Sequence, residues 1–262
     1  MRLLKTLLAC LLLAPVLTCL AAPPPMDVTL SNDEYPPYLS QNLPWYGLLS
    51  RVVTEAFALE NVKVHYVFYP NNRCLESART GLADGSLGWA VTPERLKDLK
   101  YTDPVMTLNM VFFQRSGRTI PWQKLSDLAP YRIGVTVGNT YSTEFDGLAS
   151  SKVLHTESSS DDLASFRMLL ANHVDLFPID SEVGNMLLMG NFHPDQRDQM
   201  VAQTRAFWTA EVHVVIWRKL RKGDELIRRF NLGLQQLRKS GEYDRVLSET
   251  RKAIYLKMGL YG

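Results

Sequence analysis

Ala83-Asp84-Gly85-Ser86-Leu87-Gly88-Trp89-Ala90-Val91-Thr92-Pro93-Glu94-Arg95, continued at Tyr101-Thr102-Asp103-Pro104-Val105, is the stretch that sorts this chain. Its first half, Gly85 to Val91, is a short apolar run behind an Asp-Gly turn, which predicts a buried strand. The run leads into Thr92, placed to cap a short helix with Pro93 at its first position, where a fixed φ and a missing N–H are tolerated. Outward from this point, short apolar strands alternate with amphipathic helices, the pattern of an α/β protein.

Upstream, a strand at Val28-Thr29-Leu30 enters the turn Tyr35-Pro36-Pro37-Tyr38. A helix is predicted from Trp45 to Leu59, because Leu48, Leu49, Val52, Val53, Ala56 and Phe57 recur at helical spacing. A strand over Val62 to Phe68 and a helix over Leu75 to Thr80 come next, the latter stopped by Gly81. Downstream, strands are predicted at Leu108 to Gln114, Tyr131 to Val137, Val174 to Ile179 and Val212 to Trp217. Helices are predicted at Leu163 to Ala171, from Ser181, and along the stripe Leu226, Ile227, Phe230, Leu234 and Leu237, with one more at the end. A long middle block thus sits between two outer ones. This order fits a chain that leaves one lobe, builds a second and returns.

Arg2 and Lys5 precede an apolar run from Leu7 to Leu17 and the small residues Cys19, Ala21 and Ala22. That order predicts a secretory signal peptide over residues 1–21, with export to the periplasm, and the run is too short for a membrane span. A lipid anchor on Cys19 is the competing reading, disfavoured by Thr18 ahead of it. The formal charge of +2 falls to about zero when the two leader cations are removed, which argues against a nucleic-acid partner. With 46% hydrophobic residues, a core can carry the stability without a disulfide, since only Cys74 clearly survives processing. His65, His155, His173, His193 and His213 are scattered, and no His-Glu-x-x-His or Gly-x-Ser-x-Gly pattern occurs. No metal, no cofactor and no catalytic residue is therefore expected, and a monomer is.

The motifs Ala83-Asp84-Gly85, Thr92-Pro93-Glu94-Arg95 and Tyr101-Thr102-Asp103-Pro104-Val105 resemble those of family 3 extracellular solute-binding proteins, the polar amino-acid-binding components of bacterial ABC transporters. Lys124-Leu125-Ser126-Asp127-Leu128 with Arg132-Ile133-Gly134-Val135 and Gly138-Asn139-Thr140 is similar to the opening of the family's second lobe. Asn172-His173-Val174-Asp175 with Asp180, and the tail from Trp217 to Asp244, extend the likeness over essentially the whole mature chain. The resemblance implies a two-lobed periplasmic-binding-protein fold of type II, with two hinge-connecting strands and a ligand cleft between the lobes. It implies lobe 1 from 22–108 plus 208–262, lobe 2 from 109–207, and hinges near Thr107 to Asn109 and Arg205 to Thr209. The implied function is capture of a small polar ligand, amino acid or small carboxylate, for an ABC permease. A free-standing sensor for a membrane receptor, or a dehydratase-like enzyme in the same cleft, is the alternative.

Carried over by position, Arg95 grips a ligand carboxylate, as a planar guanidinium can do bidentately, or else pairs with Glu94 or Asp98. Thr140 offers a hydroxyl at a helix start, as ligand donor, cap or both. Asp180 accepts the ligand ammonium, with Asp175 as its rival. Tyr35, Tyr38 and Trp89 are candidate aromatic walls. Asn71 and Arg73 stand where side-chain selection occurs, and Arg73 in the cleft would favour an acidic ligand, unless it only decorates its helix. The chain departs from the family at Leu43-Pro44-Trp45-Tyr46-Gly47, in place of a Gly-Phe-Asp-like motif, and at Leu87-Gly88-Trp89-Ala90, where serines usually supply carboxylate donors.

Overall fold

In the computed structural model, residues 24–69, 71–137, 139 and 141–260 are described, Asn71 and Asn72 by their backbone alone. The expected signal peptide with Cys19, and Thr140, lie outside the described residues. β1 (Met26–Asn32) pairs in parallel with β2 (Val62–Phe68) on one side and β3 (Gly85–Trp89) on the other. Parallel neighbours need crossovers, and α1 (Leu48–Leu59) and α2 (Asn71–Thr80) supply them. β4 (Leu99–Tyr101) and β3 both pair antiparallel with the end of β9 (Met200–Trp217). Its remainder runs antiparallel beside β5 (Met106–Arg115), from Met106 opposite Val212 to Arg115 opposite Met200.

Beyond β5 the sheet continues through β8 (Leu176–Asp180), β6 (Arg132–Thr136) and β7 (His155–Ser159), the last three mutually parallel. α3 (Thr143–Ser150), α4 (Asp162–Leu170), α5 (Ser181–Asn191) and the short α6 (Pro194–Arg197) belong to this half. α7 (Gly223–Lys239) and α8 (Glu242–Lys257) return to the first half, where Phe230 packs on Phe57 of α1 at 4.9 Å between ring centroids. In the second half Phe112 stacks on Phe207 at 4.5 Å, and Phe166 meets Phe113 and Phe177 edge-on. Side-chain N-caps start the helices there: Ser142 accepts from the Phe145 N–H, Asp161 from Ala164, and Asp180 from Glu182 and Val183.

Several boundaries differ from the sequence expectation: the helix expected from Leu75 begins at Asn71, the short helix expected at Pro93 begins at Arg95, and two further differences have a clear cause. The first helix begins at Leu48, because Trp45 and Tyr46 adopt left-handed φ values of 49° and 63° in a turn that the helix cannot include. The expected strand Val212 to Trp217 is only the last third of β9, whose exposed polar stretch breaks the apolar alternation used to find strands.

Asp175, at the entrance of β8, organises the edge of the second half. It accepts from the backbone N–H of Arg132 at 3.0 Å, from the Arg132 side chain at 3.3 Å and from Arg118. Burial alone would raise its pKa, but the Arg132 backbone donor and the two guanidiniums outweigh it and hold the group at about 2. A folded pKa below the unfolded value stabilises above roughly pH 4, and that stability is lost as pH falls through about 2. Asp175→Asn should therefore cost about 1–2 kcal/mol at neutral pH and flatten the loss between pH 4 and 2, measured by urea unfolding across pH. An unchanged acid limb would remove Asp175 from that role.

Candidate functional site

Thr107, Leu108 and Asn109 of β5 pair with Glu211, Ala210 and Thr209 of β9 where these strands pass from one half of the sheet to the other. Alternate side chains of a strand point to opposite faces. Accordingly Leu108, with Val212, lines a cavity of about 90 Å³ on one face, while Thr107 and Asn109 line another of about 240 Å³ on the reverse. The reverse cavity holds a pair between the two halves: Arg251 of α8 donates to Glu182 of α5 at 2.6 and 3.2 Å.

The first cavity opens at the carboxyl ends of parallel β1 and β3, the position at which open α/β sheets bind ligands. The turn after β1 is tied by the Tyr35 N–H donating to the Leu39 carbonyl at 2.8 Å, and by Tyr38 and Leu39 donating back to the Tyr35 carbonyl. It lays the Tyr35 ring on Tyr38, with centroids 5.8 Å apart and planes 21° from parallel. Trp89 arrives from β3 through a bulge: Leu87 opposes Val214 and Trp89 opposes His213, leaving Gly88 over at φ +81°. Only a residue free to take positive φ fits there without strain, and the extra residue re-aims the Trp89 side chain. The Trp89 Nε1–H donates to Ser86 Oγ at 2.8 Å, and Ser86 donates to the Ser31 carbonyl, which fixes the indole on the cavity wall.

The electrostatics of this wall are one-sided. Asp33 lines the cavity, burial raises its pKa, and the like charge of Glu34 adds to this against its own backbone donor. Among the described residues it has no ion-pair partner. The Tyr35 phenol is pushed far up by burial, and the charges of Asp180, Asp162 and Asp33 add to this. Asp162 comes from the second half, where Thr136 Oγ1 donates to one of its oxygens at 2.6 Å.

The structure distributes the expected residues unevenly. Tyr35, Tyr38 and Trp89 come together as cavity walls. Arg95 lies over the Trp89 ring and is not among the residues lining the cavity; its guanidinium is 5.0 Å from the indole centroid and donates to the Ala90 carbonyl at 2.9 Å. Glu94 and Asp98 are held instead by Arg79. Asp180 is fully buried, and its two oxygens take four donors: Tyr38 OH at 2.9 Å, Asn109 N–H, and the Glu182 and Val183 N–H groups it caps. Arg73 is exposed, 5.9 Å from the Tyr69 ring, and Asn71 opens α2. Asp33 carried no sequence expectation. An acid at the carboxyl end of a parallel strand, two residues before an aromatic turn, was the available signal.

The sequence profile of the bacterial extracellular solute-binding proteins, family 3, matches residues 28–249. No curated protein matches the chain at a significant level. Among solved structures, it is similar to substrate binding domain 2 of GlnP from Lactococcus lactis in its open conformation, with TM-score 0.68 and 18% identity over 86% of this chain and 94% of that one. An ancestral arginine-binding protein bound to arginine gives TM-score 0.61 and 19% identity over 85% and 97%. A histidine kinase sensor domain with similarity to periplasmic binding proteins gives 0.58 and 18% over 87% and 96%.

Proposed function

The chain belongs to the bacterial extracellular solute-binding proteins of family 3, and we propose that within it this protein is a clamp for a small amino-acid-like solute, handed on to an ABC permease. Its fold is the α/β periplasmic-binding-protein fold of type II. The observation that carries the reading is the aromatic cavity at the crossing of β5 and β9, where a bend of two strands would bring the halves together over a bound molecule. The lobes are residues 22–108 with 208–262, and 109–207. Tyr35, Tyr38 and Trp89 form the walls on the first lobe, and Arg95, held over the Trp89 ring, is the partner proposed for a ligand carboxylate. Thr140, Asn71 and Arg73 are the further contacts proposed for the ligand. The leader-like order of residues 1–21 supports action in the periplasm, and binding without turnover is the activity.

The test is a melting-temperature screen of the processed protein against amino acids, small carboxylates and polyamines. A solute bound only by the folded state at 100 times its Kd adds about 2.7 kcal/mol, or roughly 5–10 °C for a chain of this size. A matching decrease in radius of gyration by X-ray scattering is expected as the clamp closes. If no class of solute moves either quantity, the clamp reading fails; turnover of a bound solute would make the protein an enzyme.

A further inference from the structure

We propose that Arg251 and Glu182 set the affinity of the clamp for its solute without touching it, by tying the two halves together on the face of the hinge that closure must open. The inference rests on the clamp reading above and adds to it a determinant of affinity that lies outside the cavity.

The geometry is that of a lever. β5 and β9 carry the chain between the halves, with the aromatic cavity against Leu108 and Val212 on one face and the larger cavity against Thr107 and Asn109 on the other. Two bodies that turn about an axis between these faces approach on one and part on the other. Whatever joins the halves on the reverse face is therefore stretched when the aromatic cavity shuts.

The join there runs between α5 of the second half and α8 of the first. Glu182, in the first turn of α5, takes two donors from Arg251, Nη2 at 2.6 Å and Nε at 3.2 Å, the two-pronged geometry in which a guanidinium holds a carboxylate best. Farther along α5, about 12 Å of helix from Glu182, a methyl added at Gly190 would lie 3.9 Å from Met258 Cε, just past the end of α8. Beside the ion pair is an open space of about 240 Å³ rather than packed side chains, so the pair is a tether and not part of a core. Among the described residues no other ion pair joins the halves. The bond from Tyr38 OH to Asp180 also crosses between them, but Asp180 takes the Asn109 N–H of β5 as well, which puts that bond close to the axis, where closure strains it little.

With side-chain exposures of 37% and 27%, the pair belongs with the solvent-accessible ones, each of which biases an equilibrium by up to about fivefold. A bias present in the open form and lost in the closed one subtracts from affinity, because the solute must reverse it on closing.

Calorimetric titration of the processed full chain tests this, with the tightest binder among the standard amino acids, succinate, citrate, putrescine and spermidine. Arg251→Met and Glu182→Gln should each tighten that solute about two- to fivefold. The double variant should gain no more than either single one, because the tether is lost only once. The melting temperature of the unliganded protein should stay level or fall, so that affinity and stability move in opposite directions; a pair kept only for folding would lower the stability and leave the affinity unchanged or weaker. Raising the salt from about 0.02 M to about 0.5 M should tighten the parent chain relative to the double variant, which has no pair to screen. If neither single variant binds more tightly than the parent, the tether is overturned and the clamp stands. If none of these solutes binds, the clamp reading fails and the tether with it.

Discussion

Replacing Asp180 by alanine should lower the stability by roughly 3–5 kcal/mol, the largest loss expected from any single polar residue here. The carboxylate has no solvent exposure and satisfies four donors at once. Alanine would leave the Glu182 and Val183 N–H groups of α5 without their cap, worth about 1 kcal/mol in its own right. It would also strand the Asn109 N–H on β5 and the Tyr38 hydroxyl, and each buried donor without a partner costs about 1–3 kcal/mol. Relaxation will recover part of that sum. At about 2–4 °C per kcal/mol, the melting point should fall by roughly 10 °C. Asp180→Asn should lie between, since its oxygen keeps three of the donors while its NH2 faces the Asn109 N–H. Solute affinity should fall with both, because the Tyr38 ring that walls the cavity is held by this carboxylate across the two halves. A loss below about 1 kcal/mol for the alanine variant would mean that water reaches these donors, and that Asp180 is open to ligand after all.

That ambiguity is instructive about what the sequence discloses. An aspartate between a strand and a helix carries the same signal whether it caps the helix or faces a ligand, and only the count of donors around Asp180 separates the two. Tyr35, Tyr38 and Trp89 were legible because aromatic residues flanking a Pro-Pro turn and ending a buried strand have few places to go. Asp33 was not, since a lone acid between strand and turn looks like solvent-facing decoration until the cavity beside it is seen. The α/β alternation was legible wherever one face of an element is buried throughout, as in α7. It failed along β9, which changes neighbours partway and carries register shifts opposite Met110 and Val111. One of the missing serines has a local reason as well: Gly88 is required by the bulge, where φ is positive.

Gly85→Ala should cost about 3 kcal/mol, at the upper end for an added methyl, and should weaken solute binding with it. Gly85 sits between two partners, parallel to Leu30 of β1 and antiparallel to Ile216 of β9. A Cβ there would fall against the Val215 carbonyl oxygen, 2.9 Å from Ile216 Cδ1 and 3.1 Å from Leu30 Cδ2. The side-chain ends could rotate away, but the carbonyl belongs to a strand fixed by β4 and β5 as well, so β3 itself must move. β3 carries Trp89 four residues on, and Ser86, whose hydroxyl orients the indole. The displacement would therefore reach the cavity wall through the backbone. Gly147→Ala provides the contrast: its added Cβ meets nothing within 4 Å on α3, and removing a helical glycine should be neutral or stabilising by up to about 1 kcal/mol. Urea unfolding of the two variants, with titration of the best-binding solute, separates them. If Gly85→Ala is tolerated as well as Gly147→Ala, close spacing of β1, β3 and β9 is not what the Asp-Gly pair protects. The motif would then have to be explained by Asp84 alone, which accepts from the Thr29 N–H and pairs with Lys222 at 3.0 Å each.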